Sequence, residues 1–267
     1  MPAVTSYTPG QFCWYEVATT DAAKAKSFYA KVFGWTMIDH PMDQGGVYTL
    51  MQSGGKDVAG LYQLAPEQLS MGIPPHWLPY VAVASVDKCA ELAKRLGATI
   101  ALEPFDVMEH GRMAMIIDPQ GASFAVWQAK SHCGTGVSGE NNAPGWCELA
   151  TKDVGKAKDF YGKLFGWKLE TKNDLGMEYT EIYVGGCPIG GMMALTKEHG
   201  PVPPHWLTYF TVADCDDRVA AAKKLGSTVL VPPTDIPTVG RFAVIADPTG
   251  AGFAMIKLSF SGHHALK

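Results

Sequence analysis

Apolar and polar residues follow a strand period and then a helix period at the start of the chain. "FCWYEVA", Phe12–Ala18, fits a strand whose side chains alternate between two faces. The apolar residues that follow recur at helical spacing: Ala22, Ala25, Phe28 with Tyr29, and Val32 with Phe33. Asp21 is a typical helix N-cap, and Gly34 is a typical helix stop. The pattern therefore predicts a strand followed by an amphipathic helix.

Two more strands complete the first unit, and a second, similar unit follows at "LPYVAVAS". The runs "GVYTLMQ" and "VAGLYQL" predict two strands, and "SGGKD" between them is a hairpin signal. A new strand follows at "LPYVAVAS", then a helix at "VDKCAELAKRLG". "RMAMIID" and "ASFAVWQ", separated by a turn, close the unit. This order predicts two βαβββ units in succession.

The whole arrangement is repeated along the chain. Trp146 and Glu148 repeat Trp14 and Glu16 at an offset of 132, and "PPHWLTY" repeats "PPHWLPY" at an offset of 129. Between the copies lies a stretch rich in Gly, Ser and Asn, a composition typical of linkers. We predict an α+β fold of two tandem domains, 1–130 and 143–267, joined by an exposed linker at 131–142. Each domain is expected to form a curved mixed sheet, and proteolysis of the linker to release two folded fragments.

Charge and cysteine content limit the partners and the cellular compartment to be expected for this protein. The net charge of -4 gives no basic surface, so neither nucleic acid nor an anionic membrane is an expected partner. No apolar run reaches the length of a membrane span, and the first residues lack the order of a signal peptide. The six cysteines contain no C-x-x-C pair, and four of them lie in or beside predicted strands and helices: Cys13, Cys89, Cys147 and Cys215. This placement suits small buried side chains in a reducing, cytoplasmic compartment better than a disulfide framework. We expect a monomer or a homodimer, since the two domains could pair within one chain.

The repeated motifs resemble a known superfamily. "FYAKVFGW", "VAVASVD", a helix ending in "LG", and "DPQGASFAV" are similar to those of the vicinal oxygen chelate proteins. This superfamily contains glyoxalases, bleomycin resistance proteins and extradiol dioxygenases. The paired W-x-E and FGW motifs resemble its tandem two-domain glyoxalase-like subgroup. The resemblance implies the fold more strongly than any one reaction.

The resemblance also implies four metal-ligand positions in each domain. Carried onto this chain, they fall on residues that lack suitable donor atoms: Trp14, Gly60, 79–81 and Ala125, and Trp146, Gly191, 208–210 and Ala254. Only the Thr and Tyr among them could donate, and weakly. We therefore expect no metal and no cofactor. A displaced site built on Glu16 with His76, and Glu148 with His205, remains open, as does a purely structural role for the two histidines.

A carboxylate within an apolar strand needs a partner or hydrogen bonds. The repeated Arg112 and Arg241 could clamp Glu16 and Glu148 structurally. Alternatively, each glutamate could accept a hydrogen bond from a ligand, or act as a catalytic general base with a raised pKa. The proposed ligand-binding set is Trp14, His76, Arg112, Trp146, His205 and Arg241.

Two function classes follow from these residues. The first is a protein that binds a small organic ligand in a cup lined by Trp and Glu, without the family metal. The second is an enzyme of glyoxalase, lyase or hydroxylase type that uses Glu16 or Glu148 as a base, or a displaced metal site. The sequence leaves open whether the protein is an enzyme and whether one or both cups function.

Overall fold

The computed structural model describes residues 4–42, 45–173 and 178–259, which form two halves of the same architecture. The strands of the first half are β1 (Phe12–Thr19), β2 (Thr36–Pro41), β3 (Val47–Ser53), β4 (Lys56–Gln63), β5 (His76–Ala82), β6 (Thr99–Val107), β7 (Gly111–Ile117) and β8 (Ser123–Ala129). Its helices are α1 (Ala22–Phe33), α2 (Pro66–Ser70) and α3 (Val86–Arg95).

The second half repeats this order. Its strands are β9 (Pro144–Thr151), β10 (Lys168–Lys172), β11 (Tyr179–Val184), β12 (Cys187–Ala194), β13 (His205–Thr211), β14 (Thr228–Ile236), β15 (Gly240–Ala246) and β16 (Gly252–Leu258). Its helices are α4 (Val154–Phe165) and α5 (Cys215–Lys224), with a 3₁₀ turn at Lys197–His199. None of the helices in the described part of the chain is long and apolar enough to cross a bilayer.

Each half forms one eight-stranded mixed sheet. The strand orders are β2-β3-β4-β1-β5-β8-β7-β6 and β10-β11-β12-β9-β13-β16-β15-β14, which are the same topology. In the first sheet β1 runs parallel to β4 and antiparallel to β5, so two βαβββ units meet at its centre. The predicted α+β fold with two tandem curved sheets is confirmed.

The first helix begins and ends where its sequence predicts. The Asp21 carboxylate accepts a 2.9 Å hydrogen bond from the backbone N–H of Lys24, which caps the helix. Gly34 adopts the left-handed conformation (φ 73°), and its N–H donates to the carbonyl of Ala30. Asp153 and Gly166 repeat both ends in α4. The buried face of α1 is the predicted one: Ala25, Phe28, Tyr29, Val32 and Phe33.

The two halves share one hydrophobic core. Phe12 of the first half packs its ring against Trp167 and Trp206 of the second, at centroid distances of 5.7 and 5.2 Å. In the opposite direction, Phe210 packs 5.0 Å from Trp77. These contacts belong to a continuous cluster of buried residues that includes side chains from both halves.

A reciprocal pair of buried hydrogen bonds also joins the halves. The Tyr161 hydroxyl donates to Asp118 Oδ2 at 2.9 Å and accepts from Trp206 Nε1 at 3.0 Å. The other oxygen of Asp118 accepts three backbone N–H groups of its own turn. Tyr29 of the first half donates its hydroxyl to Asp247 Oδ2 of the second half at 2.8 Å, so the same bond also runs in the opposite direction. Each half therefore satisfies a buried phenol with the other half's carboxylate.

The prediction of an exposed linker is wrong. Of residues 131–142, only Ser131 and Asn141 are exposed, whereas Thr135 and Val137 are buried. Gly134 shows why a glycine-rich stretch can be packed rather than exposed. Its φ is 126°, and a Cβ added to it would lie 2.2 Å from the Cys13 carbonyl oxygen. Here glycine permits close packing rather than flexibility. The release of two folded fragments stays a prediction, and the shared core argues against it.

Candidate functional site

Trp14 and Glu16 lie on the face of the first sheet that is turned away from the shared core. This face, which we call the first cup, contains the buried cluster of Trp14, Leu78, Tyr80, Ala82, Ala125 and Trp127. The second cup, on the second sheet, contains Trp146 with Tyr209, Ala254 and Ile256. Tyr15 and Val17 belong to the shared core, as the alternation predicts. Cys13 lies in the first cup beside Trp14, although strict alternation would place it on the core side with Tyr15, because a bulge shifts the register between Phe12 and Trp14.

Two tyrosines hold the Glu16 carboxylate. The hydroxyl of Tyr48, on β3, donates to Oε2 at 2.7 Å, and the hydroxyl of Tyr80, on β5, donates to Oε1 at 3.0 Å. The indole Nε1–H of Trp14 donates to the Tyr48 hydroxyl at 3.0 Å. The three hydrogen bonds form a chain from the indole through a phenol to the carboxylate, which we call the carboxylate network.

The second cup contains the same network. Tyr179 donates to Glu148 Oε2 at 2.9 Å, and Tyr209 donates to Oε1 at 2.8 Å. Trp146 Nε1–H donates to the Tyr179 hydroxyl at 3.0 Å. Both glutamates are half-buried residues, and two phenols fix each carboxylate.

A glycine beside each glutamate makes room for the network. Gly60 pairs with Glu16 across β4 and β1, and a Cβ added there would lie 1.9 Å from the Tyr48 hydroxyl oxygen. A Cβ on Gly191 would lie 2.1 Å from the Tyr179 hydroxyl oxygen. No side chain at these positions is compatible with the observed placement of the phenols. The tyrosines were missed from the sequence, although their repetition in "VYT" and "EYT", and in "LPY" and "LTY", was a usable signal.

Burial raises the pKa of Glu16, and the phenol hydrogen bonds from Tyr48 and Tyr80 oppose this shift only in part. The pKa of Glu148 is raised for the same reason, against hydrogen bonds from Tyr209 and Tyr179 and nearby histidines. Burial and the adjacent carboxylate also raise the phenol pKa of Tyr48 well above its ordinary value. The phenols are therefore neutral donors at physiological pH.

The repeated arginines lie elsewhere. Arg112 donates to both oxygens of Asp87 at 2.9 and 2.8 Å, on the α3 side of the sheet. Its neighbour Met113 packs against the first cup, and strand alternation turns Arg112 to the opposite face. Arg241 likewise pairs with Asp216. The arginine clamp is therefore wrong, because Arg112 and Arg241 pair with aspartates and not with the glutamates; their place in the ligand-binding set stays a prediction.

The repeated histidines lie at the strand entries. Nδ1–H of His76 donates to the carbonyl of Pro74 at 2.8 Å, and His205 makes the same bond to Pro203. This hydrogen bond agrees with a structural role, and it leaves Nε2 of each ring for another partner. His76 opens β5, on which the cup residue Leu78 follows at the next same-face position.

The positions that the family uses for metal ligands do converge in the first cup. Trp14 pairs with Tyr80, Tyr80 pairs with Ala125, and Gly60 lies beside Glu16. The indole N–H has no lone pair to offer, glycine and alanine have no donor, and the phenol pKa of Tyr80 is raised well above its ordinary value. Within residues 4–42, 45–173 and 178–259, no three His, Cys, Asp or Glu side chains are grouped to hold a metal ion. The residues at this position do not fit the family metal.

Comparison with known proteins supports the sequence resemblance. The sequence model of the glyoxalase/bleomycin resistance protein/dioxygenase superfamily matches residues 11–126 and 143–255. A Mycobacterium tuberculosis protein named "Putative glyoxylase CFP32" is 36% identical over 259 residues, which are 96% of this chain and 98% of that protein. The anthracycline biosynthesis protein DnrV of Streptomyces peucetius is 34% identical over 265 residues, 96% of each chain.

Solved structures share the fold at low sequence identity. The Mn(II)-bound glyoxalase from Novosphingobium aromaticivorans superposes with a TM-score of 0.64 at 15% identity, over 96% of this chain and 85% of that one. The 2,3-dioxygenase LapB from Pseudomonas sp. KL28 gives a TM-score of 0.63 at 14% identity, over 97% and 96%. These similarities confirm the architecture that the sequence predicts.

Proposed function

The chain belongs to the glyoxalase/bleomycin resistance protein/dioxygenase superfamily, and we propose that it binds a small organic ligand in a cup lined by Trp and Glu, without the family metal. The observation that carries this proposal is the carboxylate network, built twice from the same residue types. A half-buried carboxylate held by two neutral phenols presents its remaining lone pairs to whatever enters the cup. The adjacent indole supplies a flat apolar wall.

This lining selects a chemical class of ligand. The wall suits a planar ring system, and the carboxylate suits a hydroxyl or N–H group at the edge of that ring. The similarity to an anthracycline biosynthesis protein supports the class, because anthracyclines are planar and carry ring hydroxyl groups. We therefore favour a hydroxylated aromatic ligand.

The alternative is an enzyme in which Glu16 or Glu148 acts as a general base. The raised pKa values favour it, because a base works best when its pKa lies near the working pH. The two functions differ in one measurable step, the removal of a ligand proton. If a ligand C–H exchanges for deuterium in D₂O with the wild type but not with Glu16→Gln or Glu148→Gln, the glutamate removes a proton and the protein is an enzyme.

A titration tests the binding proposal. Dihydroxyanthraquinone, a planar hydroxylated probe, should quench tryptophan fluorescence of the wild type with saturation, and the double variant Glu16→Gln/Glu148→Gln should lose at least tenfold in affinity. Metal analysis of protein purified without a chelator tests whether the site lacks the family metal. One divalent ion per half, bound to Glu16 or Glu148, would refute the metal-free site.

The net charge and the thiols of the chain support a proposal for its cellular setting. Five cysteines, Cys13, Cys89, Cys133, Cys147 and Cys215, are free thiols, in keeping with a reducing compartment. We propose a cytoplasmic location, a small-molecule partner rather than nucleic acid or membrane, and a monomer or homodimer. Size-exclusion chromatography with light scattering would establish the oligomeric state.

A further inference from the structure

The two cups contain the same network but differ in what covers their tryptophans. The exposed fractions of Trp14, Trp35, Trp77, Trp127, Trp167 and Trp206 lie between 2% and 7%. Trp146 is half-buried, and it is the only one of the seven tryptophans, all within the described residues, that is not buried. Its neighbour Leu207 is half-buried as well, where the equivalent Leu78 of the first cup is 5% exposed.

The chain itself covers the Trp14 end of the first cup. Two segments, residues 4–8 and 131–137, form this cover. The ring of His132 lies 4.8 Å from the ring of Trp14 at an angle of 89°, an edge-to-face contact. Tyr7 packs against the same cluster, and its hydroxyl donates to the Thr135 carbonyl at 2.9 Å.

Backbone hydrogen bonds fix the cover to the sheet. The N–H of Thr135 donates to the Cys13 carbonyl at 2.8 Å, and the N–H of Gly136 donates to the Asp57 carbonyl at 2.8 Å. Gly134 is the residue that permits this approach, as its position next to Cys13 has no room for a side chain. The cover is therefore part of the fold rather than a surface loop.

The second cup has an isoleucine at the position of the side chain that anchors the cover. Trp127 Nε1–H donates to the His132 carbonyl at 2.9 Å, and Trp127 pairs with Met113 across the sheet. The equivalent position of the second sheet, which pairs with Phe242, is Ile256. Isoleucine has no donor with which to hold a crossing segment. No aromatic ring in residues 4–42, 45–173 and 178–259 stacks on Trp146.

We infer that the second cup is the ligand site of this chain, with one hydroxylated aromatic molecule stacked on Trp146 and hydrogen-bonded to Glu148, while the cover occupies the equivalent place on Trp14. This inference rests on the proposed function and goes further by assigning the site to one cup. The first network then serves the fold, and the second serves recognition. The predicted stoichiometry is one ligand per chain.

Acrylamide quenching of tryptophan fluorescence tests the asymmetry without any ligand. The variant Trp146→Phe should lower the quenching constant at least twofold, because it removes the one accessible indole. The matched variant Trp14→Phe should leave the constant within experimental error of the wild type. An unchanged constant in Trp146→Phe, or a fall in Trp14→Phe of equal size, would overturn the inference.

Titration with dihydroxyanthraquinone tests the assignment of the site. We expect one equivalent per chain, a loss of at least tenfold in affinity in Glu148→Gln, and a change below twofold in Glu16→Gln. Two equivalents, or a larger loss in Glu16→Gln, would overturn the assignment. Failure of the probe to bind to any chain would refute the proposed ligand class, while the quenching result would still decide which cup is open.

Discussion

The Tyr48 hydroxyl is the centre of the first carboxylate network, and its removal tests whether the network stabilises the fold. In Tyr48→Phe, Glu16 loses a donor at 2.7 Å and the buried indole N–H of Trp14 loses its acceptor at 3.0 Å. A hydrogen bond to a charged group contributes about 1.5–3 kcal/mol, and a buried donor left without a partner costs about 1–3 kcal/mol. Partial relaxation toward solvent lowers the sum, and we expect a loss of about 3 kcal/mol near pH 8.

Thermal unfolding measured by circular dichroism should register this loss. For a chain of this size, each kcal/mol shifts Tm by about 2–4 °C, so Tyr48→Phe should unfold about 6–12 °C below the wild type. At pH 4 the carboxyl group is protonated, because its folded-state pKa is raised. The lost bond is then between neutral groups and contributes about 0.5–1.5 kcal/mol, so the Tm difference should shrink.

Two variants serve as controls for Tyr48→Phe. Tyr62 lies near Glu16, but its hydroxyl bonds to Gln68, so Tyr62→Phe should lower stability by less than about 1 kcal/mol. Tyr179→Phe removes the same bridge in the second cup but should cost less than Tyr48→Phe, because the half-buried Trp146 can donate its indole N–H to water instead. A Tyr48→Phe protein as stable as the Tyr62→Phe protein, or one whose loss is the same at pH 4 and pH 8, would refute the reasoning.

Three further substitutions test other parts of the molecule. Since the folded protein binds the Glu16 proton more tightly than the unfolded chain, this group makes stability fall as pH rises from its ordinary pKa of 4.5 through the raised folded value. Chemical denaturation of Glu16→Gln should lack that fall, and parallel pH profiles would contradict the raised pKa. Gly60→Ala should cost about 1–3 kcal/mol by displacing the Tyr48 phenol, whereas Gly252→Ala, with no atom near the added Cβ, is its control; equal losses would argue against the steric requirement. Tyr161→Phe leaves Asp118 without its phenol and should lower Tm without splitting the transition in calorimetry, because the halves share one core; two separate transitions would show independent halves.

The sequence was sufficient for the fold and for the faces of the central strands. The repeat offset, the capping residues and the strand alternation depend on local chemistry, and each has a direct signal in the order of residues. Alternation alone placed Trp14 and Glu16 on one face. A bulge displaced Cys13, since one extra residue shifts the alternation and nothing in "FCWYEVA" marks it.

Strand alternation could not predict the tyrosines that hydrogen-bond to the two carboxylates. Tyr48 reaches Glu16 from β3 over Gly60 of the intervening β4, so the contact depends on the register of three strands. An arginine clamp was one of the alternatives for Glu16, because a cation is a common partner of a buried carboxylate. Asp87, in the first turn of α3, lies on the same face of the sheet as Arg112 and forms the ion pair with it. The glycine-rich composition of residues 131–142 likewise suggested an exposed linker, whereas Gly134 allows the backbone to pack closely against Cys13.

The two networks differ in surroundings, and this difference bears on why a carboxylate occupies each cup. A buried carboxylate without a counter-charge is a poor source of stability, because neutral donors recover only part of its lost hydration. In the first half Trp14 is packed beneath His132, so the network there lies beside a tryptophan that the chain itself covers. In the second half the same donors hold Glu148 beside a tryptophan that solvent reaches. A fixed carboxylate with a raised pKa beside a half-buried indole supports the proposed binding role of the second cup more than that of the first.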